Sequence, residues 1–114
     1  MKEAKTKSRN ELLPGTLEML ILKTLSIEPM HGYGIAQHIQ MLSADVLTIE
    51  EGSLYPALQR MLVKGWVLAE WKISANNRRA RFSTLTTAGK KQLGVEQSRL
   101  SKMFVAIMRV MKTT

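Results

Sequence analysis

The chain has 114 residues, 45% of them hydrophobic, and a formal net charge of +8 at pH 7. This length fits one small domain, and the hydrophobic fraction is that of a folded protein. The absence of cysteine excludes disulfides, thiolate zinc sites and cysteine nucleophiles. The N-terminal residues do not form a secretory signal and no apolar run is long enough to span a membrane, so we expect a cytoplasmic protein.

Positive charge is concentrated in the second half of the chain. Residues 60–91 contain eight lysines and arginines against one acid, Glu70, whereas residues 11–51 contain six acids and one strong base, Lys23. A chain polarised in this way has one face suited to a polyanion. The alternative is a solvated surface whose charges serve only solubility. Because the arginines cluster at a predicted hairpin tip directly after a polar helix, nucleic-acid binding is favoured.

The first predicted elements are an arm and an apolar helix. Residues 1–13 are polar and basic and are expected to form a flexible N-terminal arm. After a break at residues 14–15, Thr16 can cap a helix over residues 17–25 that is apolar on most of its circumference. Such a helix must be covered on several sides. Two of its side chains lie off the main stripe and are candidates for contact with a partner subunit, Met19 and Leu22.

A second helix is predicted over residues 33–42, after the turn His31-Gly-Tyr-Gly34, whose glycines indicate close helix packing rather than a phosphate loop. Its expected buried positions are Ile35, Ile39 and Leu42. Residues 48–49 are then expected to form a short extended segment that pairs with the hairpin. His31 and His38 share no suitably spaced carboxylate or third ligand, so no metal site is predicted.

The segment from Glu51 to Gly65 predicts a short helix that ends at a glycine. Its apolar residues recur at helical spacing, at Leu54, Leu58, Met61 and Leu62. Its other face carries hydrogen-bond donors and no acid, namely Ser53, Tyr55, Gln59, Arg60 and Lys64. Such a face suits the major groove of DNA. Pro56 is expected in the first turn, where a missing N–H is tolerated, and Tyr55 could serve either DNA contact or packing.

Residues 66–85 predict a two-stranded hairpin. Alternate apolar side chains indicate one buried face on its first strand, at Val67, Ala69, Trp71 and Ile73. Asn76 and Asn77 tolerate the positive φ of a tight tip. The return strand runs over residues 79–85. The cations best placed to reach phosphates or an adjacent minor groove are Arg78, Arg79 and Arg81.

Thr86 begins a last helix of about 25 residues, with an apolar stripe too long to be buried within a chain of this size. The stripe contains Leu93, Leu100, Met103, Phe104, Ile107, Met108 and Met111. We predict that this stripe forms a homodimer interface, since a dimer places two identical helices on two half-sites of DNA. The alternative is a helix on a membrane surface, because its remaining face is basic.

Four short motifs follow one another along the chain: His31-Gly-Tyr-Gly-Ile35, Gly52-Ser-Leu-Tyr-Pro-Ala-Leu-Gln-Arg60, Arg78-Arg79-x-Arg81-Phe82 and Leu85-Thr86-x-x-Gly89. Together they resemble the PadR-type winged-helix transcriptional regulators, over roughly residues 13–93. We therefore expect a mainly α fold with a small β-hairpin, in which a winged helix-turn-helix (residues 14–85) precedes a C-terminal dimerisation helix (residues 86–114). The resemblance implies a homodimeric bacterial repressor that reads a short inverted repeat in double-stranded promoter DNA.

The chain departs from this family pattern at several positions. Residues 61–64 lack the usual acid, and Ser83 stands where a second aromatic usually follows Phe82. Leu100 occupies the place of the tryptophan that stacks flat ligands in the best-known multidrug-sensing members. An aromatic sandwich for planar drugs is therefore not expected. The simplest role for the stripe is a plain dimer core, although some of its residues could line an adaptable apolar cavity, namely Met103, Phe104 and Met108.

We expect a sequence-specific DNA-binding regulator that needs no cofactor. The alternative is a winged-helix protein-interaction module without a specific DNA site, which an acidic recognition face would indicate. An enzyme is disfavoured, because the chain has no cysteine, two histidines and no recognisable nucleophile–base or metal constellation. The adjacent acids Glu50 and Glu51 are better explained as stabilising a helix N-terminus. The residues do not define a small-molecule effector.

Overall fold

The computed structural model describes residues 15–113. Within this range four helices and three strands follow one another. They are α1 (Thr16–Leu25), β1 (Met30–His31), α2 (Gly32–Leu42), α3 (Glu51–Val63), β2 (Val67–Ile73), β3 (Arg79–Leu85) and α4 (Thr87–Met111). The strands form an antiparallel sheet in the order β1-β3-β2, and the hairpin β2–β3 is the wing. The mainly α fold with a small β element is confirmed, while the arm predicted over residues 1–13 lies outside the described range.

The core lies where α1, α2, α3 and the base of the wing meet. Its largest fully buried side chains are Ile21, Leu22, Ile35, Leu54, Met61 and Val67. Burial of each such side chain stabilises the fold by roughly 1.5–3 kcal/mol. The prediction that Leu22 contacts a partner subunit is wrong, because its side chain is completely buried within its own subunit. Met19 is only half-buried, so its predicted contact with a partner subunit stays a prediction.

Two predicted helix starts differ from the structure. Gly15, with a φ of 86°, occupies the N-cap of α1, and Thr16 is the first helical residue and not the cap. Helix α3 begins at Glu51, so Pro56 lies in its second turn and not in its first. Pro56 cannot donate the hydrogen bond that the Gly52 carbonyl would accept. Because Gly52 is exposed, water can satisfy this carbonyl.

Helix α2 starts with a side-chain cap. The imidazole Nδ1 of His31 accepts a hydrogen bond from the backbone N–H of Gly34 at 3.0 Å. Ile35 and Ile39 are buried as predicted. Leu42 was predicted to be buried but is exposed. It lies on the same stripe in the last turn, where the helix has passed beyond the neighbouring elements.

Helix α2 ends in a Schellman motif whose left-handed position is not glycine. The N–H of Asp45 donates to the carbonyl of Gln40 at 2.9 Å, and the N–H of Ala44 donates to that of Met41 at 3.1 Å. Ala44 has a φ of 53°, which crowds its Cβ against the backbone. We expect Ala44→Gly to raise the free energy of unfolding by about 1 kcal/mol in urea denaturation.

The control for this substitution is Ala88→Gly. Ala88 is exposed in α4, in a right-handed helical conformation. There glycine should lower the free energy of unfolding by about 0.5–1 kcal/mol, because it adds only flexibility to the unfolded chain. Destabilisation by both substitutions would show that the left-handed conformation of Ala44 carries no cost.

The segment over residues 48–49 does not pair with the wing, so that prediction is wrong. The third strand is β1, in which Met30 lies opposite Ser83 and His31 opposite Phe82. A strand of two residues carries no alternating pattern, and only its tertiary partner defines it. Ile49 is instead partly buried and packs against the core.

The wing is buried only at its base. Val67 pairs with Leu85 at the base and Ile73 with Arg79 near the tip, and Asn77 adopts the predicted positive φ, of 62°. Trp71 and Ile73 were predicted on a buried face, but they are 58% and 64% exposed. The alternation of side chains is regular. The distal half of the hairpin extends beyond the helices, so none of them covers it.

Helix α4 changes its environment along its length. Its first turns pack against α1 and β3, and Leu93 is buried there. Every residue from 97 to 113 is exposed. Along residues 15–113, no helix combines the length and apolar character needed to cross a membrane.

Candidate nucleic-acid interface

Helix α3 divides its five predicted DNA-binding residues between two flanks. At about 100° per residue, Ser53 and Tyr55 point roughly 160° apart around the helix axis. Tyr55 and Gln59 lie on the flank toward the wing, where both line one cleft. Arg60 lies on the flank toward α1, and helical spacing places Ser53 and Lys64 with it. All five side chains are exposed.

The cleft between α3 and the wing brings together residues that are far apart in sequence. Its volume is about 160 Å³. Its polar lining comes from Tyr55 and Gln59 of α3 and from Arg81 and Ser83 of β3, above apolar side chains such as Leu62. Arg81, predicted from the wing sequence, therefore lies beside the wing-side flank of α3.

Tyr55 both packs and reaches the surface. A Cβ at Gly32 would lie 2.7 Å from Cε1 and 2.8 Å from the hydroxyl oxygen of Tyr55, so the ring sits directly against the first turn of α2. Tyr55 nevertheless remains 49% exposed. The expected close packing at the His31-Gly-Tyr-Gly34 turn is thus present, since the ring occupies the space that a side chain at position 32 would need.

Arg60 has an acidic neighbour that the sequence pattern did not reveal. Its Nε donates to the Oε2 of Glu18 on α1 at 2.8 Å. The Glu18 carboxylate is largely buried and the Arg60 guanidinium is more than half exposed. Exposed ion pairs contribute about 0–1 kcal/mol to stability. The bond orients Arg60 toward α1 and partly neutralises it, which separates Arg60 from the cations of the wing.

Lys64 lies at the C-terminal end of α3, where the chain turns into the wing. Gly65 follows with a φ of 80°, and the N–H of Trp66 donates to the carbonyl of Met61 at 3.0 Å. This Schellman motif ends the helix. The ammonium of Lys64 lies 4.5 Å from the ring centroid of Trp66. Lys64 therefore adds positive charge at the junction of α3 and the wing.

The wing tip carries the remaining predicted cations. Arg78 lies in the loop, where its carbonyl accepts a hydrogen bond from the N–H of Ser74 at 2.7 Å. Arg79 and Arg81 are two residues apart on β3, so their side chains project from the same face of the strand. The guanidinium of Arg79 lies 4.7 Å from the ring centroid of Trp71. All three arginines are exposed, so the wing presents them to solvent.

The residues predicted for a dimer interface lie in two environments. Leu93 belongs to the core of its own subunit. The other six are exposed along the distal half of α4, namely Leu100, Met103, Phe104, Ile107, Met108 and Met111. Their three- and four-residue spacing places them on one side of the helix. In the described part of the chain, no cluster of three or more His, Asp or Glu side chains could hold a metal ion.

The chain is similar to known regulators in sequence and in structure. The model of the transcriptional regulator PadR-like family matches residues 21–95. A PadR family transcription regulator from Clostridium difficile is 25% identical, with a TM-score of 0.72 over 85% of this chain and 99% of that one. A PadR-like transcription factor from Bacteroides fragilis is also 25% identical, with a TM-score of 0.69 over 96% and 99%.

A PadR-like transcriptional regulator from Bacillus cereus, 23% identical, has the same fold, with a TM-score of 0.76 over 88% of this chain and 95% of that one. The family match extends from α1 into α4, and so includes α3, the wing and the first turns of the long helix. The chain belongs to the PadR-like family of transcriptional regulators.

Proposed function

We propose that this protein is a cytoplasmic transcriptional repressor that binds an inverted repeat in promoter DNA as a homodimer and catalyses no reaction. One observation carries the proposal. The cleft between α3 and the wing joins Tyr55 and Gln59 to Arg81. Among the described residues that line it, none is acidic. A polar helix beside an acid-free cleft that contains an arginine of the wing suits a DNA groove and the phosphates along its edge.

Each group of residues has a separate role in this proposal. Helix α3 enters the major groove, where the amide of Gln59 can recognise adenine and Ser53 and Tyr55 approach base edges or phosphates. The backbone is neutralised by Lys64, Arg78, Arg79 and Arg81, while Arg60, whose charge Glu18 partly offsets, contacts DNA on the flank of α3 toward α1. Phosphate contacts fix the position of α3 in the groove and base contacts select the sequence. Repression follows because the bound protein occupies the promoter.

The exposed stripe of α4 provides the proposed dimer interface. Its six apolar side chains are 38–70% exposed in the single chain, so burial of each in a partner would contribute half of the roughly 1.5–3 kcal/mol gained by fully burying such a side chain. On both subunits together, this gain is of the same order as the cost of association, about 4–15 kcal/mol. A symmetric dimer would present two copies of α3 to two half-sites about one DNA turn apart.

The wing contribution is tested with Arg79→Ala. Affinity falls as salt rises, and each phosphate contact adds about 0.9 to the steepness of log affinity against log salt. Loss of one contact per subunit therefore makes this slope shallower by about 1.8 in a dimer. We expect weaker binding to every duplex and this flatter slope in fluorescence anisotropy. The control is Lys102→Ala, which removes an exposed cation from α4 and should leave the slope unchanged.

The DNA for this experiment is a labelled duplex from upstream of the protein's own gene, compared with a scrambled duplex. A preference of at least about a hundredfold for the natural duplex is expected, since specific regulators typically bind their sites about 10³–10⁷ times more tightly than other DNA. An unchanged affinity and slope for Arg79→Ala would contradict the role of the wing. Failure of the wild-type protein to bind either duplex would overturn the proposed function in favour of a protein-interaction module.

A further inference from the structure

The distal wing exposes large apolar side chains that do not serve the core. Trp71 and Ile73 leave most of their surface in water. In a small soluble domain, exposed apolar side chains that lie next to one another commonly mark a contact surface. The guanidinium of Arg79 lies 4.7 Å from the Trp71 ring centroid, at a distance typical of a cation–π pair. A charged and an aromatic side chain are therefore held together on an exposed surface.

These residues share one face of the hairpin. Trp71 lies opposite Arg81 and Ile73 lies opposite Arg79, and directly opposed residues in an antiparallel pair project to the same side. We call these four residues the arginine face. At the base of the wing the same side continues through Ala69, which lines the cleft against α3 together with Arg81. The arginine face is therefore an extension of the cleft toward the wing tip.

The opposite face of the wing has a different charge. It carries Leu68, Glu70 and Lys72 on β2. The Lys72 ammonium lies 3.9 Å from the Glu70 carboxylate and 5.6 Å from the Phe82 ring centroid. Its one cation is thus accompanied by an acid. The arginine face has two cations and, in the described chain, no acid.

The chemistry of the arginine face matches one strand of the DNA backbone. That strand presents anionic phosphates alternating with apolar deoxyribose rings, and the face presents arginines beside a tryptophan and an isoleucine. With α3 in the major groove, the strand bordering that groove would run along the concave side between α3 and the wing. The arginine face lies on that side, because it continues the cleft.

We propose that the wing meets DNA with its arginine face and that Trp71 is a positioning residue, which holds Arg79 where it binds a phosphate of the strand bordering the groove. This inference rests on the proposed DNA-binding function. In the free protein the ring restricts the long Arg79 side chain, so less conformational freedom is lost when the phosphate binds. Arg81 binds a neighbouring phosphate of the same strand.

The test compares Trp71→Ala, Trp71→Phe and Leu68→Ala. Leu68 is the matched control, because it is equally exposed on the same strand but on the opposite face. Phosphate contacts do not depend on sequence, so the probe is a labelled duplex of mixed sequence at several salt concentrations. Trp71→Ala should weaken binding by about twofold to fivefold per subunit and flatten the salt slope. Trp71→Phe keeps an aromatic ring and should retain most of the affinity, and Leu68→Ala should bind like the wild type.

Two further measurements separate positioning from a structural effect. In an Arg79→Ala background, Trp71→Ala should have little additional effect on affinity, because the side chain that Trp71 positions is gone. Addition of DNA should change the tryptophan fluorescence of the wild-type protein. This change should be lost in Trp71→Phe, which retains Trp66. Circular dichroism confirms that each variant is folded.

The outcomes distinguish this inference from the function on which it rests. Wild-type affinity and salt slope for Trp71→Ala would overturn the positioning role while specific DNA binding stands. An equal loss for Leu68→Ala would show that the wing does not meet DNA with the arginine face alone. An equal loss for Trp71→Phe would contradict a role for the aromatic ring. If the wild-type protein binds no duplex, the DNA-binding function itself is wrong.

Discussion

Gly89→Ala should lower the free energy of unfolding by about 3 kcal/mol. A Cβ at this position would lie 2.2 Å from the carbonyl oxygen of Trp66 and 2.6 Å from a methyl group of Leu85. The first of these neighbours is backbone, so a side-chain rotation cannot relieve the contact. Forcing a methyl group into a packed site typically costs about 1–3 kcal/mol, and a contact this short places the effect at the upper end of that range.

The contact at Gly89 is part of a junction between three elements. The N–H of Thr86 donates to the Trp66 carbonyl at 3.0 Å, and its hydroxyl donates to the Gly65 carbonyl at 2.7 Å. The same hydroxyl oxygen accepts from the N–H of Gly89 at 3.0 Å and caps α4. The first turn of α4 is thereby fixed against the chain that leaves α3. The junction links the proposed DNA-reading helix to the proposed dimer helix.

Gly94→Ala is the matched control in the same helix. A Cβ at Gly94 would meet no atom within 4 Å. Alanine there should raise the free energy of unfolding by about 0.5–1 kcal/mol through its higher helix propensity. Urea denaturation followed by circular dichroism compares both variants with the wild type. If Gly89→Ala were as stable as Gly94→Ala, the close contact with Trp66 would not exist in solution.

Periodicity predicted the elements that carry a long, regular pattern. The stripe of α3, the alternation of the wing and a long helix of 25 residues after Thr86 all appear where the sequence indicated them. These features depend on local geometry, which a short window of sequence records. The four short motifs have no periodic pattern of their own, and only the resemblance to the family indicated what they do. The structure supplies their physical reasons, since Gly32 admits the Tyr55 ring and Gly89 admits the Trp66 carbonyl.

The features that the sequence did not reveal depend on tertiary position. The partner of the wing is a strand of two residues, too short for any pattern. Arg60 meets Glu18 across 42 positions of sequence, and no local spacing indicates that pair. Trp71 follows the correct alternation but lies past the end of the covering helices. Which residue lies on a face is therefore a local property, whereas the cover on that face depends on how far the neighbouring elements extend.

Ile107→Asp should convert the proposed dimer to a monomer and weaken specific DNA binding at least about a hundredfold. Ile107 lies within the exposed stripe of α4, and an unpaired carboxylate buried there would carry a large desolvation cost. A monomer engages one half-site and loses the gain from bivalent binding. Because Ile107 is 49% exposed in the single chain, the fold of the subunit should not depend on it.

Val105→Asp controls for the charge and for helix propensity. Val105 is 53% exposed in the same helix but lies roughly 160° around its axis from Ile107. Sedimentation equilibrium of the wild type and both variants, with the subunit mass of 12.9 kDa as reference, gives the oligomeric state. Circular dichroism should show the same helical content in each. The Val105→Asp variant should remain a dimer and bind DNA like the wild type.

The pair of variants also discriminates among the ways in which α4 could be covered. Dissociation by Ile107→Asp alone would mean that one side of α4 is buried, as in a two-helix contact. Dissociation by both variants would require partners around the whole helix, and wild-type mass for both would place the interface elsewhere. A wild-type monomer that binds anionic vesicles would instead favour the membrane-surface role for the basic, amphipathic α4. Only in the first case does the stripe on α4 set the spacing of two α3 helices, and with it the separation of the half-sites that the protein can read.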